Sequence, residues 1–560
     1  MRRRTEKRTE KRIEKRIEKT GKGRKLLCVV LSLLFLLTAL SGCGKDGSER
    51  SDLNYHLAAS PVTVDPQLVT DTNAGNVVSF FVSTLYKYDK DRKLVPGCAE
   101  SYEVSEDKLT VTFHLKKNLK WSDGSALTAE DFVYAFRRLA DPDTKSGSVY
   151  LITDCCMVNN ADKVSEGTLP PSELGVSAPD HDTFVIELQK PCPFITALVA
   201  SPTLGPCSQS FVQSCGDDYC TSADTILSSG AFKVDRYEPL ATQIHMSKNE
   251  NYYDADQVTL EGINIQIITD AQQAMMCYEA GEMDVIRVTG ATVELAEGDP
   301  ELTVFSQASV AFLDMNSGSD SPLQNRNLRL ALAKSIDRDS IVKNVVRAGA
   351  QSLTRINPPG YYYEASGKDI AEDPDKYKDL TSYDPAKAKE YWEQGLKEIG
   401  KSSVELSLCC YSNAQSICEA LKQEMEKALP GLTINIVVWS TKDWLQHGTE
   451  GEGYDLIYGG WAVDYTDPTS FYGRYSAEQA EGNKYMNPDF EKVYQGLVLA
   501  EGQERDELLE KAEDILMNDM AQIPIYTNGL DILIKPNVKN LMFAPTGVQV
   551  VCEGLEKEVK

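Results

Sequence analysis

The chain has 560 residues, 42% of them hydrophobic, and a formal net charge of −26. This length exceeds what one hydrophobic core holds together and suits two or three domains. The strong negative charge repels DNA, RNA and anionic lipid headgroups, so we expect no nucleic-acid partner.

The N-terminus has the pattern of an export signal. A strongly basic segment precedes the apolar residues 26–40, which are too few to span a bilayer. The run ends in the sequence LSGC, closed by Cys43, which resembles the lipobox of bacterial lipoproteins. That resemblance implies cleavage before Cys43 and acylation of this cysteine; a chance cysteine behind an ordinary signal is the alternative. We therefore expect a signal peptide at 1–42, a lipidated flexible tether at 43–52, and attachment to the extracellular or periplasmic face of the cell membrane.

The leader takes 13 of the 58 Lys and Arg residues and 4 of the 84 Asp and Glu residues with it, so the mature chain keeps 45 basic and 80 acidic residues and a net charge of −35. Of the 14 cysteines, Cys28 leaves with the leader and Cys43 is the lipidation site, which leaves twelve in the body. Cys207, Cys215 and Cys220 are close enough in sequence for one disulfide. The lack of a C-x-x-C pair speaks against a zinc ribbon.

The first clear elements of the body are a strand, a turn and a helix. Alternating apolar and polar residues predict a strand whose buried face carries Leu109, Val111, Phe113 and Leu115. A turn follows at 122–124. Thr128 and Asp131 then have the spacing of a capping box and predict the start of a helix.

The second half begins with a β-α-β pattern. Asp384 followed by Pro385 predicts a helix start, and Gly400 predicts its end. A strand at 404–410, a helix at 415–428 and a strand at 432–439 come next. Such a crossover predicts parallel pairing, so the chain is expected to be a mixed α/β protein.

The pattern continues with a strand at 454–458 that leads directly into residues 459–464. A late amphipathic helix points Leu509, Ala512, Ile515 and Leu516 inward. A short strand at 523–526 follows that helix.

Motifs of catalysis and metal binding are missing from the sequence. The chain has 5 histidines, and none is paired at metal-ligand spacing. There is no G-x-S-x-G elbow, no P-loop and no dinucleotide-binding fingerprint. Close carboxylates such as Asp464 and Asp467 are no argument for glycoside hydrolysis in so acidic a chain. We expect no enzyme, no metal and no cofactor.

Several ordered blocks resemble the extracellular solute-binding proteins of bacterial oligopeptide and dipeptide ABC transporters. They run in the family's order from about residue 60 to about residue 530, and they include the stretches LVPGCAESY at 94–102, WSDG at 121–124, TAEDFVY at 128–134, NENYYD at 249–254 and SIDR at 335–338. The resemblance covers nearly the whole mature chain.

The resemblance implies an α/β, periplasmic-binding-protein-like two-lobed fold of class II type, cluster C, with an extra inserted domain and a ligand cleft between the lobes. Three domains are expected. Lobe I consists of residues 53–85, 201–312 and 526–560. The inserted domain II covers 86–200, and lobe III covers 313–525. The implied function is the capture of short peptides and their delivery to a membrane permease. The implied partners are the permease and ATPase subunits of an importer, and we expect a monomer.

The implied peptide site centres on the W-x-x-D-Y segment at 461–465. By resemblance, Asp464 receives the ligand's α-ammonium; an exposed turn aspartate is the alternative. The backbone of Gly460, Trp461 and Ala462 is expected to pair with the peptide, with Tyr465 beside it and the stretch around Thr72 on its other side. Trp461 is equally well explained as a core aromatic residue.

One departure from the family's pattern concerns Tyr458. It stands where a basic residue can hold the peptide's C-terminus, so the preferred peptide length stays open. Two other functions remain as alternatives. The same fold can carry a nickel chelate, haem or an oligosaccharide, or an extracellular hydrolase could have taken over the scaffold.

Overall fold

The computed structural model describes residues 52–240, 242–347, 349–477, 482–546 and 549–558. The expected signal peptide and Cys43 lie outside the described residues. These described residues form one compact unit. No helix within the described ranges has both the length and the apolar character needed to cross a membrane.

The strands, in chain order, are β1 Leu53–Leu57, β2 Tyr86–Tyr88, β3 Leu94–Pro96, β4 Ala99–Val104, β5 Thr110–Leu115, β6 Val176–Asp180, β7 Thr183–Glu187, β8 Phe232–Arg236, β9 Gln243–Lys248, β10 Gly262–Ile267, β11 Val285–Arg287, β12 Leu302–Ser306, β13 Ser309–Met315, β14 Gln351–Ser352, β15 Val404–Tyr411, β16 Leu432–Trp439, β17 Leu456–Ala462, β18 Gln522–Thr527, β19 Gly529–Ile534, β20 Val538–Lys539 and β21 Glu556–Lys557.

The α-helices are α1 Thr72–Phe81, α2 Ala129–Ala140, α3 Ala161–Ser165, α4 Ile195–Leu198, α5 Gln209–Cys215, α6 Ala271–Glu279, α7 Ala291–Ala296, α8 Arg326–Lys334, α9 Arg338–Ile341, α10 Lys378–Thr381, α11 Pro385–Glu398, α12 Gln415–Ala428, α13 Thr441–Glu450, α14 Thr469–Tyr472, α15 Pro488–Leu497 and α16 Gly502–Asp519. A π-helical turn covers Leu151–Cys155.

Three large sheets organise the described strands. A seven-stranded sheet has the order β12-β19-β11-β1-β10-β9-β8, a six-stranded sheet has the order β14-β18-β13-β17-β15-β16, and a four-stranded sheet has the order β4-β5-β7-β6. Each sheet contributes to its own large hydrophobic cluster. This arrangement agrees with the expected mixed α/β fold of several packed units.

Two adjacent crossings join the seven-stranded and six-stranded sheets. Strand β12 continues into β13 through Gln307 and Ala308, and β18 continues into β19 through Asn528 alone. The crossings are hydrogen-bonded to each other, since the Gln307 N–H donates to the Asn528 carbonyl at 2.9 Å. The side chain of Thr527 also donates to the Gln307 carbonyl at 2.8 Å. Two lobes connected by a pair of crossing segments are thereby present, while the domain bounds given above stay a prediction.

Local sequence signals place most elements of the second half correctly. Helix α11 begins after the N-cap Asp384, whose side chain accepts from the Lys387 N–H, and Gly400 follows its end with φ +69°. Strands β15 and β16 are parallel, as the β-α-β pattern predicts. In α16, Leu509, Ala512 and Leu516 are buried, while Ile515 is only partly buried.

The predictions for the four-stranded sheet hold for most residues. In β5 the side chains of Val111, Phe113 and Leu115 are buried, whereas Leu109, predicted on the same face, precedes the strand and is only partly buried. The capping box of α2 is formed, with the Thr128 N–H donating to the Asp131 carboxylate at 2.8 Å.

Cysteines form no disulfide in the part of the chain that the structure describes. The twelve cysteines of the body are free thiols, and nine of them are buried. The bridge considered for Cys207, Cys215 and Cys220 is therefore absent. The Cys207 thiol instead lies 3.5 Å from the hydroxyl of Tyr219.

Candidate peptide-binding cleft

The candidate site lies along β17, which we name the cleft strand. It pairs with β13 over its whole length, from Leu456 to Ala462. Its pairing with β15 on the other side covers only Leu456 and Ile457. Beyond Ile457, the second edge of the cleft strand therefore has no strand partner among the described residues.

The direction of each backbone group follows from the ladder with β13. The Asn316 N–H donates to the Asp455 carbonyl at 2.9 Å, and the Val463 N–H donates to the Ala308 carbonyl at 3.0 Å. In an antiparallel pair, every second residue bonds to the same neighbour. The odd-numbered residues thus bond to β13, and the even-numbered ones turn their N–H and C=O groups toward the unpaired edge.

A tryptophan from α13 occupies the start of this edge. The indole N–H of Trp444 donates to the Tyr458 carbonyl at 3.1 Å. The next even-numbered residues are Gly460 and Ala462, both of which are exposed. Their backbone groups are therefore positioned to bond to an added strand.

The cleft strand differs from its sequence prediction, which placed the strand at 454–458, whereas the structure has it at Leu456–Ala462. The glycines at 459 and 460 lie inside the strand. A Cβ atom at Gly459 would lie 3.2 Å from the Trp444 ring and 3.4 Å from the Phe312 ring. A close approach of two aromatic rings, rather than a turn, thus explains the glycine at this position.

Asp464 lies directly behind the cleft strand and is partly buried. The hydroxyl of Tyr150 donates to its Oδ1 atom at 3.1 Å. Burial raises the pKa of Asp464 above its usual value, and the Tyr150 hydrogen bond opposes part of that rise. The same burial, together with the Asp464 charge, raises the pKa of the neighbouring Cys155 thiol. Asp464 is consequently a poorly hydrated carboxylate, a favourable partner for a cation.

The residues after Asp464 attach this segment to the region of the four-stranded sheet. The ring of Tyr465 stacks on Phe194 with 4.0 Å between the ring centroids. The hydroxyl of Tyr88 lies 2.8 Å from the hydroxyl of Thr466. Tyr465 thus has a packing role here, and its expected contact with a ligand stays a prediction.

Asp467 serves the structure of the same segment. It forms a buried two-point ion pair with Arg505, at 2.8 and 2.9 Å. It also accepts from the backbone and the hydroxyl of Thr469. This carboxylate is fully occupied by partners and fixes the loop that presents Asp464.

The remaining candidate residues have different surroundings. Trp461 is 37% exposed, and its indole N–H donates to the Ser470 hydroxyl at 3.2 Å. Thr72 is exposed and is the first residue of α1. Its backbone is therefore helical, and the extended backbone that could run beside a peptide is found before it, at Asp71. Its expected contact with a ligand stays a prediction. The side chain of Tyr458 is buried against Tyr526, with their hydroxyls 2.8 Å apart.

Sequence reasoning missed three groups near the cleft strand. They are Tyr150, Trp444 and the ion pair between Arg474 and Asp314. Within the ranges that the structure describes, no group of three or more His, Cys, Asp or Glu side chains is arranged to hold a metal ion.

A two-lobed fold with crossing strands and an unpaired strand edge beside a carboxylate defines a ligand-binding protein of the periplasmic type. The sequence model of the bacterial extracellular solute-binding proteins, family 5, matches residues 93–483. The chain therefore belongs to this family of solute-binding proteins.

Individual relatives agree with this assignment. The chain is 29% identical to a dipeptide-binding protein of Lactococcus lactis over 542 residues, which covers 92% of this chain and 97% of that protein. It matches the structure of Listeria monocytogenes OppA bound to peptide with a TM-score of 0.65 and 28% identity, covering 92% of this chain and 100% of that one.

A third comparison concerns the fold alone. The murein tripeptide-binding protein MppA, in its unliganded open form, matches with a TM-score of 0.80 and 24% identity over 91% of this chain and 98% of that one. This likeness supports the two-lobed fold.

Proposed function

We propose that this protein is the substrate-binding component of an ABC importer and captures short peptides along the cleft strand. One observation carries the proposal, namely the unpaired edge at Gly460 and Ala462 followed directly by the partly buried carboxylate of Asp464. Main-chain bonds to an added strand bind any peptide, and the carboxylate selects a free amino terminus.

The order of these features along the chain sets the direction of the ligand. Asp464 follows the cleft strand, so the ligand's amino terminus lies at that end and its chain runs back toward Tyr458. The peptide is then antiparallel to the cleft strand. Tyr150 already donates to Asp464, so it helps to orient the carboxylate that meets the ammonium group.

The relatives' names support a peptide as the ligand, since they are described as dipeptide-binding and peptide-bound proteins. The partners proposed here are the permease and ATPase subunits of the importer, and the protein acts as a monomer that binds its ligand without altering it. A lipid on Cys43 holds it at the membrane. Labelling with radioactive palmitate tests the anchor: the natural chain should take up label and Cys43→Ala should not.

The ligand itself is tested in two steps. Mass spectrometry of material released from the purified protein should identify short peptides. Calorimetry should then show micromolar or tighter binding of alanine tri- to pentapeptides, and about 100-fold weaker binding after N-terminal acetylation. Release of a non-peptide ligand, with no binding of any peptide, would refute the proposal.

A further inference from the structure

A cavity of about 430 Å³ opens beside the cleft strand. It lies on one face of the six-stranded sheet and is covered by α13. Its walls include Phe312, Trp444, Leu445, Gly459, Trp461 and Arg474. The volume is large enough for a complete aromatic side chain.

The cavity is continuous with the unpaired edge. Phe312 is paired with Gly459 in the ladder, so the Phe312 side chain and the Cα hydrogens of Gly459 lie on the same face of the sheet. Trp461, two residues after Gly459, points its side chain to that face as well. A strand added at this edge would send alternate side chains to that face. Trp461 and Gly459 precede Asp464 by three and five residues, so they lie roughly 10 and 17 Å from it along an extended strand that rises about 3.3 Å per residue. The side chain that enters therefore belongs to one of the second to fifth ligand residues.

A fixed ion pair forms part of the cavity wall, and its positive member is the more exposed one. Arg474 donates to the Oδ2 atom of Asp314 at 2.7 Å, and the hydroxyl of Tyr475 donates to Oδ1 at 3.1 Å. Asp314 is 3% exposed in its side chain, whereas Arg474 is 26% exposed. The guanidinium carbon lies 4.5 Å from the Phe312 ring centroid and 5.5 Å from that of Trp461.

These contacts hold the guanidinium in one place. Aromatic faces attract cations, and the carboxylate of Asp314 fixes the direction of the N–H groups. An entering aromatic ring finds two indoles, a phenyl ring and a planar guanidinium to pack on. An entering lysine or arginine brings a second positive charge next to Arg474.

We propose that this cavity selects peptides with a large aromatic side chain at one position between the second and the fifth, and disfavours a basic side chain there. The inference rests on the proposed function, because it needs a peptide paired with the cleft strand. It adds a substrate class, and it makes Arg474 a specificity-determining residue.

The test is a positional scan with alanine pentapeptides, measured by calorimetry. At one of positions 2–5, phenylalanine should bind about 10- to 100-fold tighter than alanine, as expected for burial of an aromatic side chain. At the same position, lysine should bind at least tenfold weaker than norleucine, its uncharged analogue. Equal affinities at all four positions would overturn this inference and leave the proposed function intact. Absence of binding by every pentapeptide would instead refute the proposed function.

Two variants localise the effect. Leu445→Trp places a larger side chain at the exposed mouth of the cavity and should reduce the phenylalanine-to-alanine ratio below threefold. Leu295→Trp, at an exposed helical leucine on α7, is the matched control and should keep the full ratio. An unchanged ratio in Leu445→Trp would overturn the assignment of the cavity.

The double variant Asp314→Asn/Arg474→Gln removes both charges together, which avoids leaving a buried carboxylate without its partner. It should bring norleucine and lysine within threefold of each other. If this variant does not fold, Arg474→Lys provides the second measurement, because it keeps the charge and should retain the discrimination against lysine. Loss of that discrimination in Arg474→Lys, or its persistence in the double variant, would contradict the role of Arg474.

Discussion

Replacing Asp464 by asparagine removes one negative charge and almost no volume, so it isolates the proposed bond to the peptide's ammonium group. Asp464 is partly buried, and the structure gives it a neutral donor, Tyr150, on Oδ1. Loss of one partner from a desolvated charge pair costs about 2–5 kcal/mol. Because Asp464 is only partly buried, we expect the lower part of this range, about 2–3 kcal/mol. This corresponds to roughly 30- to 150-fold weaker binding at about 1.4 kcal/mol per tenfold.

The assay is calorimetry with one pentapeptide in its free and N-acetylated forms. Asp464→Asn should weaken binding of the free peptide by the stated factor and leave the affinity for the acetylated peptide within threefold. The substitution and the acetylation form a double-mutant cycle, which isolates the bond between Asp464 and the ammonium group. Asp154→Asn is the matched control, because Asp154 is an exposed acid in the π-helical turn near Tyr150. If both variants weaken binding equally, the effect is a long-range charge effect and the assigned role of Asp464 is wrong.

Three further predictions concern the same segment. Tyr150→Phe removes the hydrogen bond to Asp464 and should weaken peptide binding about 2- to 10-fold, the worth of one hydrogen bond; an unchanged affinity would count against it. Peptide binding should fall as the pH is lowered through the raised pKa of Asp464, which is at a higher pH than for an aspartate with the ordinary pKa of 3.8. Tyr150→Phe removes a hydrogen bond that lowers this pKa, so it should move the acidic limb of the binding curve to still higher pH. The alkaline limb, near pH 8, belongs to the ligand's amine and should not move. Arg505→Met leaves Asp467 buried without its cation and should lower the apparent free energy of unfolding by about 3–5 kcal/mol in a denaturant titration, whereas the exposed Glu507→Gln should not.

The elements that the sequence predicted well carry their own start and stop signals. Helix α12 was expected at 415–428 and occupies that range, and β16 likewise matches 432–439. The break at Gly431 separates the two, with φ +83° and a Cβ position only 3.0 Å from the Ser402 carbonyl. In such cases local backbone preferences and tertiary packing favour the same structure.

The prediction failed where tertiary contacts decide. The strand was predicted to end at Tyr458, yet Gly459 continues it by pairing with Phe312 of β13, and two aromatic rings crowd the position that a Cβ atom would take. Tyr150 reaches Asp464 across 314 positions of sequence, and Arg474 reaches Asp314 across 160. A local sequence pattern contains no information about contacts between residues so far apart in sequence. The motif around residue 464 therefore predicted the carboxylate, but not its hydrogen-bond donor and not the cavity beside Arg474.

The hydration of the Asp464 carboxylate helps to explain how peptides of different sequence can be bound with high affinity. Partial burial removes some of the water around this carboxylate before the ligand arrives, and it raises the pKa of Asp464 for the same reason. An ammonium group that pairs with it therefore removes less additional water than it would from an exposed aspartate, so more of the attraction appears as affinity. The bonds at Gly460 and Ala462 are made by the backbone and are the same for every sequence. Strength thus comes from groups that all peptides share, and the cavity beside Arg474 can bias the choice of sequence without being required for binding.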